Sequence, residues 1–488
     1  MRSRLIGSCV IALALLVPTA CGGSAIKPEE ALRANQDILG QGADSGTSTD
    51  PGTATDPGTA TDPGTATDPG TATDPGTGTT PDATPNGGTG GNGGGSGGGS
   101  GAAAGSGVKV ASCEGFKNQT GITDSTITLG NSSDISGPVP GLFTAAQQAT
   151  KAYVQYFNTT NPKGICGRKL QLNTYDSRTD AGADQQGYQK ICESSFAAVG
   201  SMSAFDSGGA ATAQGCGMPD IRTASVTGAR NDCSTCFGVQ ATGKGEYQNM
   251  VYDYWIKSAK AATQKAAFLY LNAGAAAENA KTQIAVGRKR GMNWIYTAPI
   301  AVEEFNYGAY VQQMKSKGVQ FVQFLGAYQQ SARLAQAMQS AGFKPEVLMY
   351  DPSVDDPGFV KQGGSAVEGA RFFVNYTPLH ESQAEVNLYK KWLQQVAPGA
   401  VPTFFGLFAW SAAKLFVERA LALGGKLTRA SLVSAVRGVN GWTGGGAHAP
   451  MSVGSKHPPV CLRWMTVKSG KFVPYGSTKY SCGAYTKA

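Results

Sequence analysis

Histidine is nearly missing from this chain: His380, His448 and His457 are the only three among 488 residues. The side chain that most often moves protons or binds metal near neutral pH is therefore scarce. The apolar run Leu5–Val17 is too short to cross a bilayer as a helix. Charge is sparse as well, at 15% of residues, and the one tight basic cluster is Arg288-Lys289-Arg290 at the end of an expected helix. Positive charges scattered singly elsewhere argue against a nucleic-acid-binding surface.

What is present begins with an address. Arg2 and Arg4 lead into the apolar run and then into small residues, the order of an export signal, so residues 1–20 are expected to be a signal peptide. Pro18-Thr19-Ala20-Cys21 resembles a bacterial lipobox, in which the cysteine is lipidated and becomes the new N-terminus. Pro18 departs from the motif, which usually has Leu there. The mature protein is expected outside the cytoplasm, on the outer face of the cell membrane, held by the lipid on Cys21 alone.

Residues 21–107 read as a tether. Asp-Pro-Gly recurs at 50, 56, 62, 68 and 74, and Gly-Ser tracts follow to Gly107. Pro, Gly and Thr at this density bury nothing. A flexible coil from Gly40 to Gly107 has an r.m.s. span on the order of 45 Å. The remaining stretch, Val108–Ala488, carries 37 Lys and Arg against 23 Asp and Glu and is long enough for two lobes.

Of ten cysteines, Cys9 leaves with the signal and Cys21 takes the lipid, so eight remain in an exported chain. An even number outside the reducing cytosol argues for disulfides. Eight cysteines allow 105 pairings. The expected set is Cys113 with Cys166, Cys192 with Cys216, Cys233 with Cys236, and Cys461 with Cys482.

From residue 108 the pattern alternates strand, loop and helix. Strands are predicted at Thr126–Gly130, Leu170–Tyr175, Ala197–Gly200, Ile221–Ala224, Ala267–Leu271, Trp294–Ala298, Phe321–Leu325, Val347–Tyr350 and Phe372–Asn375. Helices are predicted at Leu142–Phe157, Gly245–Ala259, Ala276–Arg290, Ser331–Ala341 and Phe404–Leu423. The fold class is therefore α/β, with parallel sheets covered on both faces. So many strands favour two doubly wound lobes over one large sheet. Loops at the strand carboxyl ends, such as Asp134-Ile-Ser136-Gly, Ser201-Met-Ser203 and Ser225-Val-Thr227, are small and polar and suit a crevice for a small polar or zwitterionic molecule.

Several stretches together resemble the type I periplasmic binding proteins of the leucine/isoleucine/valine-binding family, the receptors of branched-chain amino acid ABC importers. They are Ile127-Thr-Leu-Gly130 with Asp134-Ile-Ser-Gly137, Gly167-Arg-Lys-Leu170 with Tyr175-Asp176, Val199-Gly-Ser201, and Phe324-Leu-Gly-Ala-Tyr328 with Ala341-Gly-Phe343. The resemblance runs over about Cys113–Ala488 and implies two lobes on a multi-strand hinge that close on a ligand, with no chemistry. It implies one lobe from 108–241 plus about 377–440, and a second from about 242–376 plus 441–488. Ser136 would lie in the ligand crevice, and Ser201 and Ser203 would hold a ligand carboxylate. Ser225 and Thr227 would add hydroxyl and main-chain N–H donors, Tyr328 would cover the ligand, and Asp351 would pair with its ammonium group. The family also supports the Cys192–Cys216 pair.

The chain departs from that pattern at Asn272–Ala277, where Asn-Ala-Gly-Ala-Ala-Ala replaces the usual aromatic or polar cover, and at Asp351, offset from the usual acid with Asp355 and Asp356 as competitors. Enzyme readings fail on position. Phe205-Asp-Ser207-Gly-Gly209 mimics a chymotrypsin-like nucleophile, but every histidine follows it, and no Gly-x-Ser-x-Gly elbow follows a strand. Cys233-Ser-Thr-Cys236 has no second pair or nearby histidine for a metal, and Pro352 and Pro357 break a calcium loop at the aspartates. His448 and His457 are expected in exposed loops, and Phe404–Leu423 in the core. The expectation is a cofactor-free, monomeric, extracytoplasmic receptor that takes a small polar ligand such as an amino acid and partners an ABC permease. A ligand-sensing or envelope-scaffolding receptor on the same module is the alternative.

Overall fold

Two sheets wound by one rule carry the fold. The computed structural model describes residues 109–242 and 244–488; the signal peptide 1–20, the lipidation expected at Cys21 and the tether to residue 107 lie outside the described residues. The first sheet holds β1 (Thr126–Ser133), β2 (Lys169–Asp176), β3 (Ala197–Val199), β4 (Asp220–Ser225) and β5 (Cys236–Ala241) in the order β2-β1-β3-β4-β5. After a short strand β6 (Glu246–Gln248), the second sheet holds β7 (Ala266–Leu271), β8 (Trp294–Ile300), β9 (Phe321–Leu325), β10 (Val347–Tyr350) and β11 (Arg371–Val374) in the order β8-β7-β9-β10-β11. The winding is the same in both, and all these pairs are parallel. Such strands are covered on both faces, which is why β4 and β9 are buried from end to end and read as unbroken runs.

The helices supply the covers. In α1 (Thr144–Thr160), Ala146, Ala149, Tyr153 and Phe157 recur at three- and four-residue spacing and form the buried stripe. Helix α2 (Ala181–Ser194) is capped by the Asp180 carboxylate, which accepts the Ala183 N–H. The second lobe adds α3 (Met250–Ser258), α4 (Gly274–Arg290) and α5 (Tyr328–Ser340). The chain then returns to the first lobe for α6 (Ala384–Val396) and α7 (Phe404–Leu423). Helix α7 is buried on almost every side, so it lacks an amphipathic pattern, and it packs on α1 and β4. Its start is fixed by the Thr403 hydroxyl, which accepts the Gly406 N–H. No helix among the described residues is long and apolar enough to cross a membrane.

The chain passes between the sheets three times: after β5, after β11, and before the final strands. Those are β12 (Cys461–Lys468) and β13 (Lys471–Pro474), a hairpin added antiparallel to β11, then β14 (Ser481–Cys482) and β15 (Tyr485–Lys487). Among the described residues, four disulfides join Cys113 to Cys166, Cys192 to Cys216, Cys233 to Cys236 and Cys461 to Cys482.

The structure departs from the sequence reading at four places. The helix expected over Gly245–Ala259 is two elements, because β15 pairs with β6 and holds Glu246–Gln248 extended before α3 begins. Strand β5 and the antiparallel C-terminal strands were not foreseen. Residues 441–457, expected with the second lobe, pack on the first: the Trp442 indole donates to Glu418 of α7 at 3.0 Å, and the Lys456 ammonium donates to the Asn231 and Cys233 carbonyls. His448 is not in an exposed loop; it is 2% exposed, stacked on Phe408, and burial pushes its pKa down to about 4.

Candidate ligand-binding site

In sheets of this winding, neighbouring connections leave in opposite directions between β1 and β3, and again between β7 and β9, and a crevice opens at the strand carboxyl ends. Both crevices face one cavity of about 400 Å³, within the range of roughly 300–1,000 Å³ typical of small-molecule sites. The first lobe contributes Leu142, Phe143, Ser203, Val226, Phe404 and Phe405 to its wall. From the second come the alanines around Gly274, with Leu325, Tyr328, Asp351, Asp355 and Asp356. Tyr247 and Gln248 of β6 line the connection between them.

The lobes meet across this cavity. The Ala275 N–H, at the start of α4, donates to the Ala204 carbonyl at 2.8 Å, and the Gly228 N–H donates to the Glu278 carboxylate at 2.8 Å. Gly274 permits the approach: its φ is +37°, and a Cβ there would sit 2.2 Å from the Ala204 oxygen. Ala204 is held in turn by Asp134. That buried carboxylate accepts the N–H groups of Ala204 at 2.7 Å and Thr179 at 3.0 Å, and the hydroxyls of Ser177 and Ser203. Burial pushes the Asp134 pKa up more than these hydrogen bonds pull it down.

Behind the first-lobe loops lies a fully buried charge cluster. Arg230 bridges Asp184 at 3.1 Å and Asp220 at 2.8 Å, and donates through Nε to the Asp206 carbonyl at 2.6 Å. The Asp206 carboxylate accepts the N–H groups of Val226 and Thr227 at 2.9 and 3.2 Å. Breaking one partner would strand another charge away from water, so the cluster fixes the loops after β3 and β4.

This internal satisfaction corrects the expected carboxylate cradle. Ser136 is exposed and donates its hydroxyl to Asp176, outside the cavity wall. Ser201 is buried with its hydroxyl accepting the Ser132 N–H. The Ser203 hydroxyl reaches the wall but is engaged by Asp134 and the Phe205 N–H. Ser225 is buried behind the wall, and Thr227 caps a short helix by accepting the Arg230 N–H, its own N–H already given to Asp206. Tyr328 and Asp351 do line the cavity, Tyr328 half-buried with its ring against Gly358.

The acidic corner is unneutralised. Burial raises Asp351 and Asp355 each to about 6, and raises Asp356 as well. Asp351 accepts the Ser353 N–H and hydroxyl, Asp355 accepts the Tyr376 hydroxyl at 2.7 Å, and Asp356 caps a helix through the Gly358 N–H. No Lys, Arg or His lies on the cavity wall or within ion-pair distance of these carboxylates among the described residues.

Sequence reasoning missed Phe405, Tyr247 and Gln248. Adjacent Phe404 and Phe405 at a helix start cannot share one face, so a second direction for one ring was readable. Nothing local marked β6, whose place depends on pairing with a strand some 240 residues later.

A family model described as periplasmic binding protein matches residues 126–471. The chain belongs to that family. Its architecture is shared by solved structures at low identity. A fatty acid ABC transporter substrate-binding protein from Thermomonospora curvata is 20% identical, with a TM-score of 0.63 over 75% of this chain and 96% of that one. A leucine binding protein from Thermotoga maritima is 14% identical, with a TM-score of 0.59 over 72% and 98%. A solute binding protein from R. palustris, in complex with 4-hydroxybenzoate, is 16% identical, with a TM-score of 0.61 over 73% and 97%. No curated protein matches. As a periplasmic binding protein the chain is an extracytoplasmic binding protein by family, with its cavity at the winding reversals of both lobes.

Proposed function

We propose that this protein is the substrate receptor of an ABC importer, taking a small organic molecule into the cleft and presenting it to a permease in the membrane. One observation carries the reading: a cavity between two lobes that touch through Ala275 and Ala204. A ligand contacting both walls favours the closed arrangement by its differential affinity for it. The solved relatives are described as binding leucine, a fatty acid substrate or 4-hydroxybenzoate, all with an apolar body. The wall here, with Phe143, Phe404 and Leu325, supports an apolar body with one polar end. An amino acid, expected from the sequence, is one member of that class.

Lipidation at Cys21 would hold the receptor at the outer membrane face, and the tether would give it reach. Mass spectrometry of small molecules released from the purified chain, followed by calorimetric titration with those found, tests the receptor reading. A chain that releases and binds none would end it. Palmitate labelling of the native chain against Cys21→Ala tests the anchor. The long tether favours the sensing or scaffolding alternative, and uptake that persists after deletion of the binding-protein gene would support it.

A further inference from the structure

Most donors that the family resemblance implied are used inside the protein, and the cavity gathers acids instead, beside Thr179 and Tyr247, whose buried hydroxyls have no partner among the described residues. The hydroxyls and N–H groups expected to hold a carboxylate at Ser201, Ser203, Val226 and Thr227 are taken by Ser132, Asp134 and Asp206. Thr242 donates to the Ser225 carbonyl, and Ser353 shares its one hydroxyl proton between the Gly326 carbonyl and Asp351, so these hydroxyls are spent as well. On the acceptor side stand Asp351, Asp355 and Asp356 without any cation. Gln248, 4% exposed, lines the same cavity, and its buried side-chain oxygen has no partner among the described residues.

A buried carboxylate without a counter-charge is costly unless a ligand supplies one. Burial has already pushed all three upward, so an arriving cation would be met by groups that gain from its presence. Aromatic surface is continuous with this corner. The Tyr376 hydroxyl bonds Asp355 while its ring packs on Phe404 at 5.4 Å. The start of α5, whose N–H groups at Tyr328 and Gln329 could attract an anion, lies beside the same acids, since Ser353 bonds both Gly326 and Asp351.

We propose that the cleft selects an apolar amine, with its protonated nitrogen at Asp351, Asp355 and Gln248, its body against Phe143, Phe404 and Phe405, and no carboxylate. This rests on the receptor reading and narrows its ligand. A protonated amine presents three N–H donors and no acceptor, which matches the acceptors left open. A carboxylate on the same molecule would face three acids and find the donors expected at Ser201, Ser203 and Thr227 occupied; the Ser225 hydroxyl has no partner among the described residues but is buried behind the wall.

Calorimetric titration of the full chain with 2-phenylethylamine, 3-phenylpropionate and phenylalanine tests it, since the three differ in the charged end alone. The amine should bind at least about tenfold more tightly than either other probe. Asp351→Asn should weaken it by a further factor of about ten. If that variant fails to fold, a pH series on the unaltered chain replaces it: amine affinity should fall as the pH drops through about 6, where Asp351 and Asp355 take up protons. The other titrating groups facing them are Asp356, Tyr247, Tyr328 and Tyr376, and burial raises every one of these tyrosines. Tighter binding of the acid or the amino acid overturns the amine assignment and leaves the receptor reading standing. Absence of amine binding up to about 1 mM overturns it too, and if no released molecule binds either, the receptor reading falls with it.

Discussion

The Ala204 carbonyl accepts the Ala275 N–H at 2.8 Å, and this main-chain bond joins the loop after β3 to the start of α4 across the cleft. Ala204 is itself fixed by the buried Asp134 carboxylate, so closure is registered against the first-lobe core. Any side chain added at Gly274 would meet the Ala204 oxygen before that bond could form.

Gly274→Ala should therefore open the cleft. Ligand affinity should fall about tenfold, and small-angle scattering of the ligand-saturated protein should give a larger radius of gyration than the unaltered chain. An unchanged radius and dissociation constant would show that closure does not depend on this approach.

Tyr328→Ala removes half-buried aromatic cover from the cavity. Its loss should cost about 1.5 kcal/mol in ligand binding, roughly a tenfold weaker dissociation constant, with the melting temperature of the empty protein nearly unchanged. Unaltered affinity would make Tyr328 a packing residue against Gly358.

Two groups, the half-buried Asp351 and the buried His448, should tilt the pH dependence of stability in opposite directions. Asp351 is raised from 3.8 to about 6, so the folded state holds its proton more tightly, and the stability it contributes falls as pH rises through that window. Asp351→Asn should then stabilise the empty protein at pH 7 by on the order of 2 kcal/mol or less, read as a higher melting temperature. His448 is lowered from 6.5 to about 4, so the unfolded chain takes up the proton first and stability is lost as pH falls from about 6.5 to about 4. His448→Phe, which keeps a ring on Phe408, should remove up to roughly 3 kcal/mol of that acid sensitivity. Scanning calorimetry at pH 4, 5.5 and 7 reads both; parallel curves for the variants and the unaltered chain would contradict both assignments.

The Cys113–Cys166 disulfide closes a separation of 53 residues. Replacing both cysteines by serine should destabilise the folded part by about 4 kcal/mol, seen as a lower midpoint in denaturant. The segment it anchors crosses the end of α7, where the Gly425 N–H donates to the Ser112 carbonyl and a Cβ at Gly425 would lie 1.8 Å from the Glu114 oxygen. A midpoint unchanged by the double substitution would mean that this crossing is held without the bridge.

Local signals accounted for most of the framework. Apolar runs bounded by glycine and polar loops located the parallel strands other than β5 to within a few residues, and the largely apolar stretch Phe404–Leu423 announced a buried helix. The even number of cysteines argued for disulfides but left 105 pairings open; the expected set is the one the structure holds. The chemistry of the cleft was less legible. The type and position of Ser201, Ser203 and Thr227 suggested ligand donors, but whether a hydroxyl is free depends on distant groups such as Asp134 and Asp206. Tyr247 and Gln248 were hidden for the same reason, because a three-residue strand has no periodicity of its own and exists here through its far partner.

That partner strand is β15. Tyr485–Lys487 lies along Glu246–Gln248, Tyr485 stacks on His457, and His457 bonds Glu246 at 2.7 Å. Appending an affinity handle or fluorescent reporter after Ala488, or trimming the final dozen residues, would disturb the backbone that carries two cavity-wall side chains. Engineered fusions of this receptor belong at its opposite end, upstream of residue 108.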